Sequence, residues 1–236
     1  MAAEDKDITR ASAAVAEYLV NLDVDMVGVA ALGDLKGGKL TEQALKLLPG
    51  TRSIVVLAVE IYPEFLDLTS AEMVAGAPNL NNLYDRHIDH LAGRLDKAVN
   101  DIARVSRKVE LKALPLPSRH TPTDRRTLEA IFSYKHAAEA AGLGKMGMSS
   151  LLVTHQFGPR IRLGVCLTEA LLKSTANDDS SACHDCNLCI SECPSRALDW
   201  PDKGKTYAIN KFVCREYLEA SGGCSECVKQ CPVAAD

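Results

Sequence analysis

Features that would indicate a nucleic-acid or membrane partner are missing from the sequence. The 236 residues carry a formal net charge of −4, and no cluster of Lys and Arg offers the basic face that phosphate binding needs. The longest strongly apolar run, residues 54–59, ends at Glu60 and is too short to cross a bilayer. The acidic N-terminus lacks the apolar core of a signal peptide. We therefore expect a cytoplasmic protein with no membrane partner.

Cysteine is almost absent from the first three-quarters of the chain. Cys166 is the one cysteine before Cys183, and the other eight fall between Cys183 and Cys231. Disulfides are rare in a reducing cytosol, so such a cluster indicates metal ligation. Cys166 lies in the apolar stretch 161–167 and is expected to be a small buried core residue.

The spacing of the eight cysteines predicts two [4Fe–4S] clusters. Residues 183–194 read C-x2-C-x2-C-x3-C-P, the run of bacterial ferredoxins, in which the fourth cysteine ligates the other cluster. The second half repeats this signature, with its first cysteine displaced onto a predicted helix at 210–220. One cluster would then take Cys183, Cys186, Cys189 and Cys231, and the other Cys193, Cys214, Cys224 and Cys227. The alternative is a pair of zinc sites, because C-x2-C pairs also bind zinc.

The part of the chain that precedes Cys183 is long enough to form a hydrophobic core of its own. We predict an α/β domain over residues 1–178, followed by a ferredoxin-like module over residues 179–236. Segments with the apolar spacing of helices alternate with segments that have the apolar pattern of strands, and this alternation favours the α/β class. The expected helices are 8–22, 41–48, 80–107 and 128–141, and the expected strands are 25–30, 52–61, 109–114, 151–154 and 160–167. The last two strands are predicted to be joined by a turn at Gly158-Pro159, and residues 173–181 to form a polar linker.

Five segments together resemble the superfamily of epoxyqueuosine reductase and the corrinoid reductive dehalogenases. They are residues 25–30, 48–57, 133–138, 141–147 (AGLGKMG) and 157–169, and the double cysteine module follows them. The resemblance covers nearly the whole chain. It implies a nitroreductase-like domain that binds cobalamin beside two clusters, which pass single electrons to cobalt. It also implies a low-potential electron donor of the ferredoxin or flavodoxin type.

Several positions depart from the epoxyqueuosine reductase pattern. Leu128 stands where that family has an aspartate acid, Lys145 where a Trp is common, and Met148 where a Lys is found. The sequence ends five residues after Cys231, without the C-terminal helical extension of the tRNA-modifying enzyme. Together with the acidic balance, these departures argue against tRNA as a substrate. We expect a short member of the superfamily that acts on a small molecule or on a corrinoid protein.

Candidate proton donors lie beside the glycine motif. Reduction of a substrate needs protons as well as electrons, and Tyr134 and His136 are suitable donors. The alternative is an ordinary polar helix surface. His87 and His90, three residues apart, could hold a metal, but His87 also continues the apolar stripe of a helix. His184, inside the first cysteine run, is expected to tune a cluster by a hydrogen bond.

Candidate cofactor contacts follow the same resemblance. Gly142, Gly144 and Gly147 would let the backbone approach a flat cofactor, and Lys145 lies among them as a further candidate contact. Gly142 could also simply cap a helix. Arg160 could bind an acidic side chain of the cofactor, although a hairpin turn explains Gly158-Pro159 equally well.

Two functions remain open at this point. The first is a reductase that holds a corrinoid, or alternatively the flavin FMN, in its α/β domain and receives electrons through the clusters. The second is a non-catalytic carrier that reduces a partner such as a corrinoid protein. The long domain and its glycines favour the first function, and the loss of the aspartate favours the second.

Overall fold

The computed structural model describes residues 2–69, 80–175, 180–184 and 186–233. Its mixed helices and strands confirm the predicted α/β class. The chain divides into two compact units. The first unit contains Met1–Val59, Ala92–Leu143 and Arg162–Asp178, and the second contains Glu60–Leu91, Gly144–Ile161 and Asp179–Asp236. The domain boundary predicted between residues 178 and 179, and part of the predicted linker, lie outside the described residues, so that boundary stays a prediction.

The first unit is built on a four-stranded sheet with the strand order β1-β2-β6-β3. Strand β1 pairs antiparallel with β2, from Met26 opposite Ala58 to Ala31 opposite Ser53. Strand β3 pairs antiparallel with β6. The strands are β1 (Met26–Ala31), β2 (Ser53–Glu60), β3 (Ala113–Leu116) and β6 (Ile161–Thr168), and the helices are α1 (Ala2–Val20), α2 (Lys39–Leu47), α5 (Tyr134–Ala140) and the later part of α4 (Asn81–Lys108).

The core of the first unit is centred on β2. Its apolar residues 54–59 are fully buried, as expected for a strand rich in β-branched residues. Helix α4 contributes Leu95, Val99 and Ile102, which recur every three or four residues and are also fully buried, the pattern of an apolar helix face. Cys166 is buried with them, as predicted, and burial raises the pKa of its thiol to about 12.

The second unit consists of short elements. Helix α6 packs against α8 and β7, and α3 packs against α8. Helix α7 begins where the sequence predicts, because the side chain of Asn210 accepts hydrogen bonds from the N–H groups of Phe212 and Val213 and caps the helix. The elements are α3 (Pro63–Asp67), the early part of α4, β4 (Lys145–Met146), β5 (Leu152–Val153), α6 (Leu188–Ser191), β7 (Leu198–Asp199), β8 (Ala208–Ile209), α7 (Lys211–Ala220) and α8 (Glu226–Lys229).

The first helix begins at Ala2, six residues before its predicted start, and two other elements begin later than predicted. The helix predicted at 128–141 begins only at Tyr134, because Leu128 has a left-handed φ of 53° and Thr123 forms a β-bridge with Ala130. The strand predicted at 109–114 begins at Ala113, because Glu110 also adopts a left-handed φ, of 61°, which ends the preceding helix in a turn.

The two strands predicted on either side of Gly158-Pro159 do not pair with each other. Strand β5 pairs with β4, whereas β6 joins the large sheet. The turn itself exists and is closed by reciprocal backbone hydrogen bonds between Thr154 and Gly158, of 2.9 and 3.0 Å. No helix in the described part of the chain is long and apolar enough to cross a bilayer.

Candidate metal centre

A small pocket of about 30 Å³ in the second unit has sulfur atoms along its wall. Four of the residues that line it are Cys183, Cys186, Cys189 and Cys231, which we call the first cysteine group. Burial, together with charge on the other three thiols, raises the pKa of Cys189 to about 11. The structure therefore brings together the four cysteines that the crossed ligand pattern assigns to one cluster.

The remaining predicted ligands form a second cysteine group: Cys193, Cys214, Cys224 and Cys227. Burial raises the pKa of Cys227 to about 12, and charge on the other three members adds to the effect. Cys227 is also within electrostatic reach of Cys189 and lines the pocket of the first group. The two groups are thus immediate neighbours, as a path for single electrons requires.

Cys193 differs from the other cysteines because its thiolate is stabilised. Burial acts to raise its pKa, but hydrogen bonds outweigh burial and lower the pKa below its ordinary value. The donors are the hydroxyl of Ser195, whose oxygen lies 3.5 Å from the sulfur, and the backbone N–H groups of Ser195, Ala197 and Leu198. Such convergent N–H groups form an anion-binding nest, and the thiolate is the form that ligates metal. Sequence reasoning missed Ser195, although its place just after Cys193-Pro194 is a usable signal.

The chemistry of both groups fits an iron–sulfur centre. Each supplies four thiols, and backbone N–H groups point at sulfur at Cys193, at Cys224 from Glu226, and at Cys231 from Val233. Hydrogen bonds to sulfur are a known control on such centres. Within the described residues, no three His, Cys, Asp or Glu side chains lie close enough to hold a single metal ion.

Gly147 and Gly144 allow close packing beside the first group. A Cβ at Gly147 would lie 2.6 Å from the Val153 side chain and 3.6 Å from the sulfur of Cys183. A Cβ at Gly144 would collide with the carbonyl oxygen of Val153. Lys145 pairs with Val153 across the β4–β5 ribbon. These glycines let the ribbon lie against the first predicted ligand, and a cofactor contact at these three residues stays a prediction.

Gly142 caps helix α5. It has a left-handed φ of 74°, its N–H donates to Glu139, and the N–H of Leu143 donates to Ala138. This pair of bonds is the Schellman motif, which favours glycine at this position. The helix-cap interpretation accounts for Gly142, and its role toward a cofactor also stays a prediction.

Tyr134 and His136 lie in the first turn of α5, in the first unit. The Tyr134 hydroxyl donates to the carbonyl oxygen of Pro117 at 2.7 Å, and burial raises the pKa of its phenol to about 12. His136 is exposed, and its Nδ1 lies 2.7 Å from the hydroxyl oxygen of Ser133. The catalytic role of both side chains stays a prediction.

We expect Tyr134 to titrate about two pH units above an exposed tyrosine. Its folded pKa of about 12 exceeds the ordinary value of 10, so its stabilising contribution is fully present below pH 10 and is lost as the pH rises toward 12. An ultraviolet titration of phenolate absorbance should show a late step that disappears in Tyr134→Phe. A Tyr134→Phe protein with the same late step would contradict this assignment.

His87 is a core residue and not a metal ligand partner of His90. Its ring is buried and stacks on Phe65, with centroids 4.0 Å apart and planes 2° apart. The Nε2 atom of His87 accepts the backbone N–H of Tyr62 at 3.4 Å. Burial lowers the pKa of His87, so the ring is held neutral.

Arg160 is buried in the second unit. One of its terminal nitrogens, Nη2, lies 4.0 Å from Oε1 of Glu60, and its Nε has no hydrogen-bond partner among the described residues. The alternative interpretation of the preceding residues, a turn at Gly158-Pro159, is confirmed by the antiparallel bridge between Thr154 and Gly158. Sequence reasoning missed Glu60. The feature that could have identified it is the position of a charged residue directly after a buried strand.

Comparison with known proteins finds relatives of two named types. No protein-family model matches the chain. Epoxyqueuosine reductase from Gloeobacter violaceus is 37% identical over 109 residues, which cover 40% of this chain and 34% of that enzyme. Tetrachloroethene reductive dehalogenase from Sulfurospirillum multivorans is 32% identical over 111 residues, which cover 40% of this chain and 22% of the dehalogenase.

A solved structure extends the likeness to the fold. A reductive dehalogenase described as catalysing B12-dependent dehalogenation superimposes with a TM-score of 0.72 at 17% identity, over 92% of this chain and 31% of the dehalogenase. The matched regions span only about a fifth to a third of the lengths of these proteins. By sequence the chain is a relative of the epoxyqueuosine reductases and the reductive dehalogenases, as its motifs predicted, and its fold is similar to that of a reductive dehalogenase.

Proposed function

We propose that the protein is an iron–sulfur oxidoreductase. The observation that carries this proposal is the convergence of eight cysteines into two adjacent groups, with Cys227 close to both. When bound, two [4Fe–4S] clusters would supply single-electron transfer. The cysteines would hold them as a ferredoxin-like module, and the N–H groups around Cys193 would stabilise thiolate charge. The relation to named reductases supports the same class of chemistry.

The electron acceptor is proposed to be a corrinoid held by the N-terminal α/β domain, or alternatively FMN. The B12-dependent dehalogenase with a similar fold supports the corrinoid. Gly144, Lys145, Gly147 and Arg160 are the proposed contacts. Tyr134 and His136 are proposed to supply protons to a small substrate, since a phenol and an imidazole are side-chain groups that can act as general acids.

A second function is supported by separate observations. Leu128 replaces the expected acid, and the Tyr134 hydroxyl is already engaged with Pro117. A protein without its own substrate would pass electrons from a ferredoxin or flavodoxin to a partner such as a corrinoid protein. The net charge of −4 supports either function over action on tRNA, because phosphate binding needs a basic face.

The deciding experiment is anaerobic reconstitution with iron and sulfide, followed by exposure to hydroxocobalamin or FMN. We expect about eight irons per chain and a corrinoid spectrum that remains after gel filtration. Fewer than about seven irons, or stoichiometric zinc at the thiols, would contradict the iron–sulfur assignment. Retention of neither organic cofactor would favour the carrier, and tight binding of a tRNA stem-loop would contradict the small-molecule proposal.

A further inference from the structure

The segment that carries Arg160 is pressed against the chain that follows Cys231. Gly158 adopts a left-handed φ of 56°, and a Cβ there would collide with the carbonyl oxygen of Val233. Val233 comes two residues after Cys231 and donates its N–H toward that sulfur. The turn at residues 157–160 is therefore fixed beside one ligand of the first cysteine group.

Arg160 brings an incompletely compensated positive charge to this place. Its side chain is only 9% exposed. The carboxylate of Glu60, whose side chain is 26% exposed, lies 4.0 Å away. That separation is longer than a hydrogen bond, and the buried Nε has no hydrogen-bond partner in the described part of the chain. A buried charge is costly unless it is compensated, so a negative centre in the adjacent sulfur-lined pocket would stabilise the guanidinium.

The charge reaches the sulfur of Cys231. Burial is the largest influence on the pKa of that thiol and raises it, while the Val233 N–H and the positive charge of Arg160 act in the opposite direction. The positive charge of Arg160 thus acts on one member of the first cysteine group, whereas no arginine is among the charges that act on Cys193, Cys224 or Cys227 in the described chain.

We propose that Arg160 is a positioning residue that raises the reduction potential of the centre held by the first cysteine group, and that Glu60 opposes it. The proposal rests on the proposed function, since it requires an iron–sulfur centre at this group. Reduction adds one electron and hence one negative charge, which a fixed buried cation stabilises. Charge and hydrogen bonding around a cluster are recognised controls on its potential. Arg160 would therefore make the first centre easier to reduce than it would be without this charge.

The test is an anaerobic titration with dithionite of the reconstituted full chain, followed by electron paramagnetic resonance. In Arg160→Gln we expect the potential of one centre to fall while the other stays unchanged. In Glu60→Gln we expect the same centre to shift in the opposite direction. Arg160→Lys keeps the charge and should remain close to the unsubstituted protein. Arg215→Gln, at an exposed arginine paired with Glu219, is the matched control and should leave both potentials unchanged.

The opposite shifts separate a charge effect from structural damage. A loosened site would shift the reduction potential in the same direction in both variants. If Arg160→Gln loses iron, Glu60→Gln and Arg160→Lys still decide the question. Unchanged potentials in Glu60→Gln and in every Arg160 variant that keeps its iron would overturn the role of Arg160 and leave the proposed function intact. An unsubstituted protein that takes up no iron–sulfur centres would overturn both.

Discussion

Replacing Cys231 by alanine is expected to remove the same iron–sulfur centre as replacing Cys189, and to leave about half of the iron. Two four-iron centres predict about eight irons per chain, so each variant should retain about four. The reason is that Cys231 and Cys189 line one pocket, although they belong to different halves of the cysteine sequence. Iron and sulfide analysis counts the loss, and paramagnetic resonance of the reduced protein shows which signal remains.

The complementary variants define the second centre. Cys193→Ala and Cys227→Ala should both remove the other signal, because their thiols interact. Cys166→Ala is the control, since Cys166 is buried in the sheet of the first unit, and it should keep all the iron. If Cys193→Ala and Cys189→Ala removed the same signal, the crossed assignment would be wrong.

Replacing Gly158 by alanine is expected to lower the free energy of unfolding by about 3 kcal/mol or more. A left-handed φ costs a non-glycine residue about 1–2 kcal/mol, and the collision with the Val233 carbonyl adds the cost of overpacking, about 1–3 kcal/mol. Because the collision lies beside Cys231, the centre at the first cysteine group should also be lost more easily. Denaturant unfolding under anaerobic conditions measures both effects.

Two other glycines serve as controls that separate the cost of the left-handed φ from the cost of the collision with Val233. Gly204 has a left-handed φ of 85° with no atom near its Cβ position, so Gly204→Ala should cost only the backbone strain, about 1–2 kcal/mol. Gly93 lies in helix α4 with a normal φ and open space, so Gly93→Ala should stabilise by about 0.5–1 kcal/mol. A Gly158→Ala protein no less stable than Gly204→Ala would show that the contact with Val233 is unimportant.

The cysteine groups could be predicted because their information is local. Three cysteines at intervals of three residues, with a proline after the fourth, describe a loop that wraps one centre, and the crossed fourth ligand follows from the ferredoxin rule. The structure assembles the same two groups. Helix α4 and strand β2 could be predicted equally well, since their apolar patterns extend over many residues.

Other local predictions failed because their cause was not in the local pattern. The stretch 128–133 looks helical, but Leu128 and its surroundings adopt a left-handed turn and a bridge. Strands β5 and β6 are separated by a turn, yet each finds its partner elsewhere. Partner choice depends on which apolar faces meet in the folded chain, and a short strand carries too little pattern to specify this.

By itself the sequence determined the α/β class and the superfamily relation, because these depend on periodicity and motif, and the spacing of the cysteines predicted two sets of four. Tertiary structure alone placed Arg160 and Glu60 together at 4.0 Å and set Gly158 against Val233. Glu60 and Arg160 are distant in the chain, and the separation of two charges is a property of the folded backbone that no sequence interval encodes.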